Sequence, residues 1–358
     1  MDVWSSCENL LVIRADNIGD VLMSSPAINA LRTFTRARIT LLTSVAGSEA
    51  GRLSADINEV IGIDLPWVKT EGSNTGIQIS ELIELLKTYR FDGCVIFTVY
   101  SQNPLPAAMI AYMAGIPLRL AYCRENPYGL LSNWIPDQEP YHLIRHQVQR
   151  DLDLVAAIGA NAGQRRLSLT ITSGNFAWAA EKLQVIGLDL KEPYLILHPG
   201  VSEHKREYPF EKWVDCGKTL LREFNMPVLL TGSQSESTIL TELREAIGGD
   251  VFVAAGLFSL AEFAAAIKAA SVVVSVNTGA VHLAAAMQTP VVVLYAQTNP
   301  QHTPWMVPHV VLPYSIEEAL RSKNEVIKFV DNKIYHMQIP LPDDSQIAAA
   351  VASLLNQA

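Results

Sequence analysis

Cysteine is scarce in this chain. Four thiols in 358 residues, Cys7, Cys94, Cys123 and Cys216, stand far apart with no CxxC pair. That excludes a disulfide framework and a thiolate zinc site, and it fits a reducing compartment. Charge is also scarce, at 18%, and basic charge is the scarcer sign: 27 Lys and Arg against 36 Asp and Glu leave a net −9. A protein whose affinity comes from neutralising nucleic-acid phosphates is therefore excluded. Residues 1–180 carry about −3 and residues 181–358 about −6, so an anionic ligand has to be met by a local patch. The first residues lack a basic stretch followed by an apolar one; no signal peptide is read, and a cytoplasmic location is expected.

Long hydrophobic runs are missing. Residues 93–118 and 269–316 contain no Asp, Glu, Lys or Arg, but Ser101, Gln102, Asn103 and prolines interrupt the first, and Asn277, Gly279 and prolines the second. Neither supplies the ~20 consecutive apolar residues of a membrane span. Both read as buried sheet with site-forming loops, and at most peripheral membrane contact is expected. Several signatures of chemistry are missing too: there is no GxGxxG after a strand, no GxSxG elbow, no HExxH and no GK[ST]. Asp151-Leu-Asp153 spells a metal-binding DxD, but in a helical pattern, where residues two apart do not face each other. Neither a metal nor a cofactor is expected.

What is present is a hydrophobic chain (49%) long enough for two domains. Its periodicity predicts strand 10–13, a polar turn and helix 26–34, then strand 39–42, helix 79–89, strand 93–98 and helix 105–114. A second series follows: helix 175–186, strand 194–197, helix 210–224, strand 227–230 and helix 236–247. It continues with helix 260–270, strand 272–276, helix 280–287 and strand 291–295. Such alternation predicts an α/β protein of two Rossmann-like, doubly wound domains, with ligand in a central cleft at the carboxyl ends of the strands. The domains are expected at 1–175 and 190–338, with a linker around 174–192. A last helix within 339–358 is expected to pack back toward the N-terminal domain.

Several polar residues fall where such strands end. Asp20 follows Gly19 in the first strand-to-helix loop, placed either to cap the helix or to act as a base, and Asp16 competes for both roles. His198-Pro-Gly200 leads through Ser202, Lys205 and Arg206 toward a helix, a cationic loop suited to an anion at a helix start but flanked by glutamates. Thr231 opens a loop whose Glu236 suits either a ribose diol or the first turn of a helix. Asn277-Thr278-Gly279 closes a buried strand ahead of a helix carrying His282, with backbone N–H groups available to an anion. His282 is expected to be buried and to face the cleft.

Taken together these blocks resemble the ADP-heptose:lipopolysaccharide heptosyltransferases, glycosyltransferase family 9. The shared segments are Ile18-Gly-Asp-Val-Leu-Met-Ser-Ser-Pro-Ala27, His198-Pro-Gly200 with Lys205-Arg-Glu-Tyr-Pro209, Thr231 to Glu236, Ala255-Gly-Leu-Phe-Ser-Leu-Ala-Glu262 and Asn277-Thr-Gly-Ala-Val-His-Leu-Ala-Ala285. The resemblance implies a GT-B fold, with an acceptor-binding N-terminal domain and a C-terminal domain for the nucleotide sugar. It implies inverting, metal-independent transfer to a hydroxyl of a glycan or glycolipid, with an ADP-linked donor favoured. Asp20 matches the family's general base, and Arg206, or Lys205 beside it, the cation on the diphosphate. Thr278, Gly279 and His282 would add phosphate contacts, Glu236 would hold the ribose, and Gly256 and Leu257 would border the adenine. Asn277 stands where heptosyltransferases have an aspartate on the donor sugar. Arg119, Arg124, Arg145 and Arg150 are candidates for an acidic acceptor, or else surface arginines paired with nearby acids. A GT-B nucleotide-sugar epimerase and a non-catalytic nucleotide-sugar-binding protein are the competing readings.

Overall fold

A computed structural model of the chain describes residues 3–68, 76–335 and 337–357. It divides into two units, Met1–Leu169 and Thr170–Ala358. The first contains strands β1 (Asn9–Arg14), β2 (Arg38–Thr43), β3 (Glu59–Gly62), β4 (Gly93–Ile96), β5 (Leu118–Cys123) and β6 (Asn133–Pro136). Its helices are α1 (Ile18–Thr35), α2 (Gly47–Arg52), α3 (Gly76–Tyr89), α4 (Leu105–Met113) and α5 (Gln147–Ala156). The sheet runs β3-β2-β1-β4-β5-β6, all parallel.

The second unit opens with α6 (Ser173–Val185) and continues through β7 (Leu195–His198), α7 (Phe210–Phe224), β8 (Val228–Gly232), α8 (Ser237–Ile247), β9 (Val251–Ala255) and α9 (Leu260–Ala269). Then come β10 (Val272–Val276), α10 (Gly279–Met287), β11 (Val291–Ala296), β12 (His309–Tyr314), α11 (Glu325–Ile334) and α12 (Asp344–Leu355). Its sheet, β12-β11-β10-β7-β8-β9, repeats the strand order of the first unit. Both are the doubly wound order in which the chain reverses direction between the first and fourth strands. The reversal lies between β1 and β4 in one unit and between β7 and β10 in the other.

One expectation is corrected here. The helix expected to begin at Pro26 begins at Ile18, with Pro26 inside it. An interior proline removes one hydrogen bond, leaving the carbonyl four residues back without its donor. Here Ser25 Oγ donates to that carbonyl, Leu22 O, at 2.7 Å, so the helix runs through. Helix α12 packs within the second unit. Its apolar stripe of Ile347, Val351 and Leu354 is buried in the core of the second unit with Trp213, Leu220 and Leu294, and Thr219 of α7 donates to Asp344 at 2.6 Å. The boundary at Leu169 and Thr170 falls before the expected linker, because α6 occupies residues 173–185 and belongs to the second unit.

Candidate active site

Ligands of doubly wound sheets sit beyond the carboxyl ends of the strands, where the order reverses. In the first unit that place is formed by the ends of β1 and β4, joined where Phe97 N donates to Ile13 O at 2.9 Å. The last residue of β1, the fully buried Arg14, holds two carboxylates: Nη2 donates to Asp20 Oδ1 at 2.7 Å, and Nε lies 3.2 Å from Asp16 Oδ2. Asp20 also completes the capping box of α1, accepting from Asn17 N at 3.3 Å. The two roles read for Asp20, cap and reactive carboxylate, are thus compatible in one side chain, which remains 18% exposed.

The charges around Arg14 act on one another. Burial works against the Arg14 cation, but Asp16, Asp20 and Asp151 outweigh it and raise its pKa above the usual arginine value. Burial, reinforced by the Asp20 charge, pushes Asp16 up to about 6 against the pull of Arg14 and of Gln102. Gln102 Nε2 donates to Asp16 Oδ1 at 2.6 Å. Beneath them Asp151 accepts from Ser24 Oγ and Gln147 Nε2, both at 2.7 Å, and burial lifts it to about 6 as well. Asp153 turns the other way, toward Arg145 and Gln149, so the DxD letters do not converge.

Sequence reasoning gave no role to Arg14 or Gln102, and weighed Asp151 only as part of the DxD letters or as a partner of nearby arginines. The available signal was an arginine closing an apolar strand with carboxylates two and six residues on, and an amide cluster after the next central strand.

The candidate acceptor arginines are largely committed within the fold. Arg119 is 9% exposed and donates to the carbonyls of Ile116, Pro117, Gly129 and Leu130. Fully buried Arg150 binds Asp137 through two bonds of 2.8 and 2.9 Å and Glu139 at 2.5 Å. Arg145 pairs with Glu139 and Asp153, and Arg124 lies 3.7 Å from Asp137 and donates to Glu139 O. Arg119 and Arg150 therefore brace loops and α5 rather than present a cationic surface. Arg124 and Arg145 remain about a quarter exposed, with 27% and 23% of their side-chain surface open.

In the second unit the reversal point brings β7 and β10 together: Ser275 pairs with His198, and Ser275 Oγ donates to His198 O at 3.2 Å. His198 Nδ1 lies 2.9 Å from Thr231 Oγ1 and its ring stacks near Phe263. Desolvation lowers the His198 pKa to about 4, with Glu236 opposing it, so the ring is neutral at pH 7. Glu236 accepts from Ser233 N and Oγ at 2.6 and 2.8 Å. Its carboxylate fills the space beside Gly200, where a Cβ would lie 2.3 Å from Oε1. Glycine in the His-Pro-Gly segment is thereby explained as close approach of a side chain to backbone.

The cationic loop reaches the head of α10. Arg206 Nη1 donates to Asn277 O at 3.1 Å, across 71 residues of sequence, and Tyr314 OH fixes the loop by donating to Arg206 O at 2.7 Å. Lys205 Nζ lies 3.0 Å and Arg206 Nη2 3.5 Å from Glu203 Oε2, so one carboxylate gathers both cations. Thr278 occupies the N-cap position of α10 without a side-chain cap bond, Gly279 begins the helix, and the buried His282 packs edge-on to His302 one turn in. Ser202 is exposed in the same loop. Gly256, at φ +61°, and Leu257 form the loop after β9, where Lys182 Nζ donates to Leu257 O at 2.9 Å and to Glu262 at 2.8 Å. Lys182 is an anchor that sequence reasoning missed.

Asn277 has a local task. Its Nδ2 donates to Thr298 Oγ1 at 2.9 Å and Ala296 O at 3.3 Å, while its Oδ1 accepts from Ala296 N at 3.3 Å. An amide satisfies both the donor and the acceptor of Ala296, whereas a carboxylate would face the Ala296 carbonyl with no proton to give. Asn277→Asp should therefore cost about 1–3 kcal/mol, read as a lower urea midpoint at pH 7. An unchanged midpoint would mean that these bonds contribute nothing.

The comparisons agree with this architecture. The family model of Glycosyltransferase family 9 (heptosyltransferase) matches residues 79–329. Lipopolysaccharide heptosyltransferase 2 of Escherichia coli (strain K12) is 24% identical over 312 residues, covering 82% of this chain and 84% of the relative. The crystal structure of a family 9 glycosyl transferase from Veillonella parvula DSM 2008 superposes with a TM-score of 0.78 at 16% identity, covering 100% of this chain and 99% of that one. E. coli ADP-heptose lps heptosyltransferase II gives 0.72 at 20% identity, over 98% and 99% of the two chains. With two parallel six-stranded sheets of one strand order and a family match over most of its length, the chain belongs to glycosyltransferase family 9, the heptosyltransferases.

Proposed function

We propose that this glycosyltransferase moves a sugar, foremost heptose from ADP-heptose, onto a hydroxyl of a lipopolysaccharide-core or related cell-envelope glycan. The transfer inverts the anomeric centre, needs no metal, and takes place in the cytoplasm. The name of the E. coli relative supports the pathway. The observation that carries the donor side is the contact of Arg206 with Asn277 O, which sets a guanidinium beside the first N–H groups of α10. A helix start and a cation together suit the diphosphate of a nucleotide sugar, and they stabilise the charge that grows on it as it leaves. Thr278, Gly279 and His282 belong to the same helix start, Glu236 is available to the ribose, and Gly256 with Leu257 to the base. On the acceptor side Asp20 takes the hydroxyl proton as the oxygen attacks the anomeric carbon.

Arg206→Ala should weaken ADP binding by about 10- to 100-fold in calorimetry, the scale of removing one charge-assisted hydrogen bond from a partly buried site. Lys205→Ala should have a smaller effect, because a single ammonium lacks the planar fork that binds a phosphate bidentately. Unchanged affinity in both variants would place the diphosphate elsewhere. The reaction is tested by incubating ADP-, GDP- and UDP-linked sugars with and without glycan acceptors. Acceptor-dependent release of ADP is expected, whereas an isomerised nucleotide sugar formed without acceptor would make the chain an epimerase. Binding without turnover would make it a sensor.

A further inference from the structure

Beyond the ends of β1 and β4 the first unit holds a cavity of about 180 Å³. That is less than the 300–1,000 Å³ typical of sites that enclose drug-sized ligands. Its lining combines apolar Trp67, Val68 and Pro106 with polar Ser101, Gln102 and Asn103. Among the described residues lining it, none is charged. A lining that combines indole and aliphatic groups with hydroxyl and amide groups suits a pyranose ring, which has C–H faces and a hydroxylated edge.

Gln102 is fixed at both ends, accepting from Val99 N at 3.1 Å and donating to Asp16 at 2.6 Å. Through it the cavity adjoins the Asp16, Arg14 and Asp20 cluster, and Ala15 of the same loop lines the wall. The group that Gln102 ties to the cavity is thus a carboxylate. An anionic ring entering there would meet no cation among the described lining residues and would be repelled by Asp16. Arg150, whose Nε donates to O of the lining residue Thr98 at 3.0 Å, is already paired with Asp137 and Glu139.

We propose that this cavity is the acceptor subsite, that it takes one uncharged sugar ring against Trp67 with hydroxyls on Ser101, Gln102 and Asn103, and that it selects neutral over anionic acceptors. The inference rests on the transfer reading above, and its test separates the two. Methyl α-mannoside and mannose 6-phosphate are titrated into the full chain by saturation-transfer NMR, with ADP affinity and acceptor-dependent ADP release measured in parallel.

The mannoside should bind at least about tenfold more tightly than the phosphate, about 1.4 kcal/mol. Trp67→Leu should weaken the mannoside by a similar factor while ADP affinity stays as in the wild type. Ser101→Ala, a milder change, should weaken it a few-fold and carries the test if Trp67→Leu fails to fold. Equal or tighter binding of the phosphate, no saturable mannoside binding, or indifference to both substitutions overturns the subsite while ADP release still supports transfer. Mannoside binding that depends on Trp67, in a protein that never releases ADP to an acceptor, overturns the transfer reading and with it the acceptor role.

Discussion

Asp20→Asn should lower the transfer rate by about 10²- to 10⁴-fold, the usual contribution of a positioned general base, while ADP binds as in the wild type. The amide cannot take a proton from the acceptor, yet its oxygen can still receive the Arg14 Nη2 bond that the carboxylate receives at 2.7 Å. Of the two bonds described, the one given up is the longer, from Asn17 N at 3.3 Å, at an exposed residue that water can serve. Stability should therefore fall by only about 1 kcal/mol, a weakened cap on α1, since Arg14 retains Asp16. The measurement is kcat for acceptor-dependent ADP release beside the ADP Kd and the urea midpoint. Wild-type turnover in Asp20→Asn would transfer the base role to Asp16. That alternative has its own signature, because a base titrating at about 6 gives a rate that declines as pH falls through that value.

The alternation of elements was readable because parallel strands covered on both faces are apolar runs, and the helices between them keep their periodicity. Helix 210–224 was read at the bounds that the structure gives it. The misses have identifiable physical causes. β5 carries Arg119 in its interior, and β6 is short and half-exposed, so neither is an apolar run. Pro26 reads as a helix start unless Ser25 is seen to supply the missing bond, a contact between neighbours that no period reports. Where α12 packs is likewise beyond periodicity, since it depends on a partner surface on α7 more than a hundred residues away. On the candidate site, the order of blocks marked loops at the strand ends, but not which polar groups were already engaged. Arg119 and Arg150 look like free cations in sequence and are buried in the fold, whereas Arg14 looks like a loop residue and is the centre of a charge cluster. Asn277 looks like a substitution in the donor site, and its amide is engaged with Ala296 and Thr298.

Arg14→Met should cost about 3–5 kcal/mol at pH 7, the range for removing one partner from a buried ion pair. Methionine fills most of the volume, so the loss is electrostatic: Asp16 and Asp20 are left facing each other near the end of β1, and Asp151 loses the opposing charge that most restrains its rise. The sign of the pH dependence follows. Asp16 and Asp151 already stand at about 6 in the folded chain, above the ~3.9 of an unfolded aspartate. The native state therefore binds more protons than the unfolded state between those values, and this contribution to stability falls as pH rises through 6. Without Arg14 both groups rise further, so their protonation relieves the variant at a higher pH than it relieves the wild type. Urea denaturation at pH 7 and pH 5 should show the gap between variant and wild type narrowing at the lower pH. A deficit of the same size at both values would mean that Arg14 stabilises β1 by packing, with the three carboxylates indifferent to its charge.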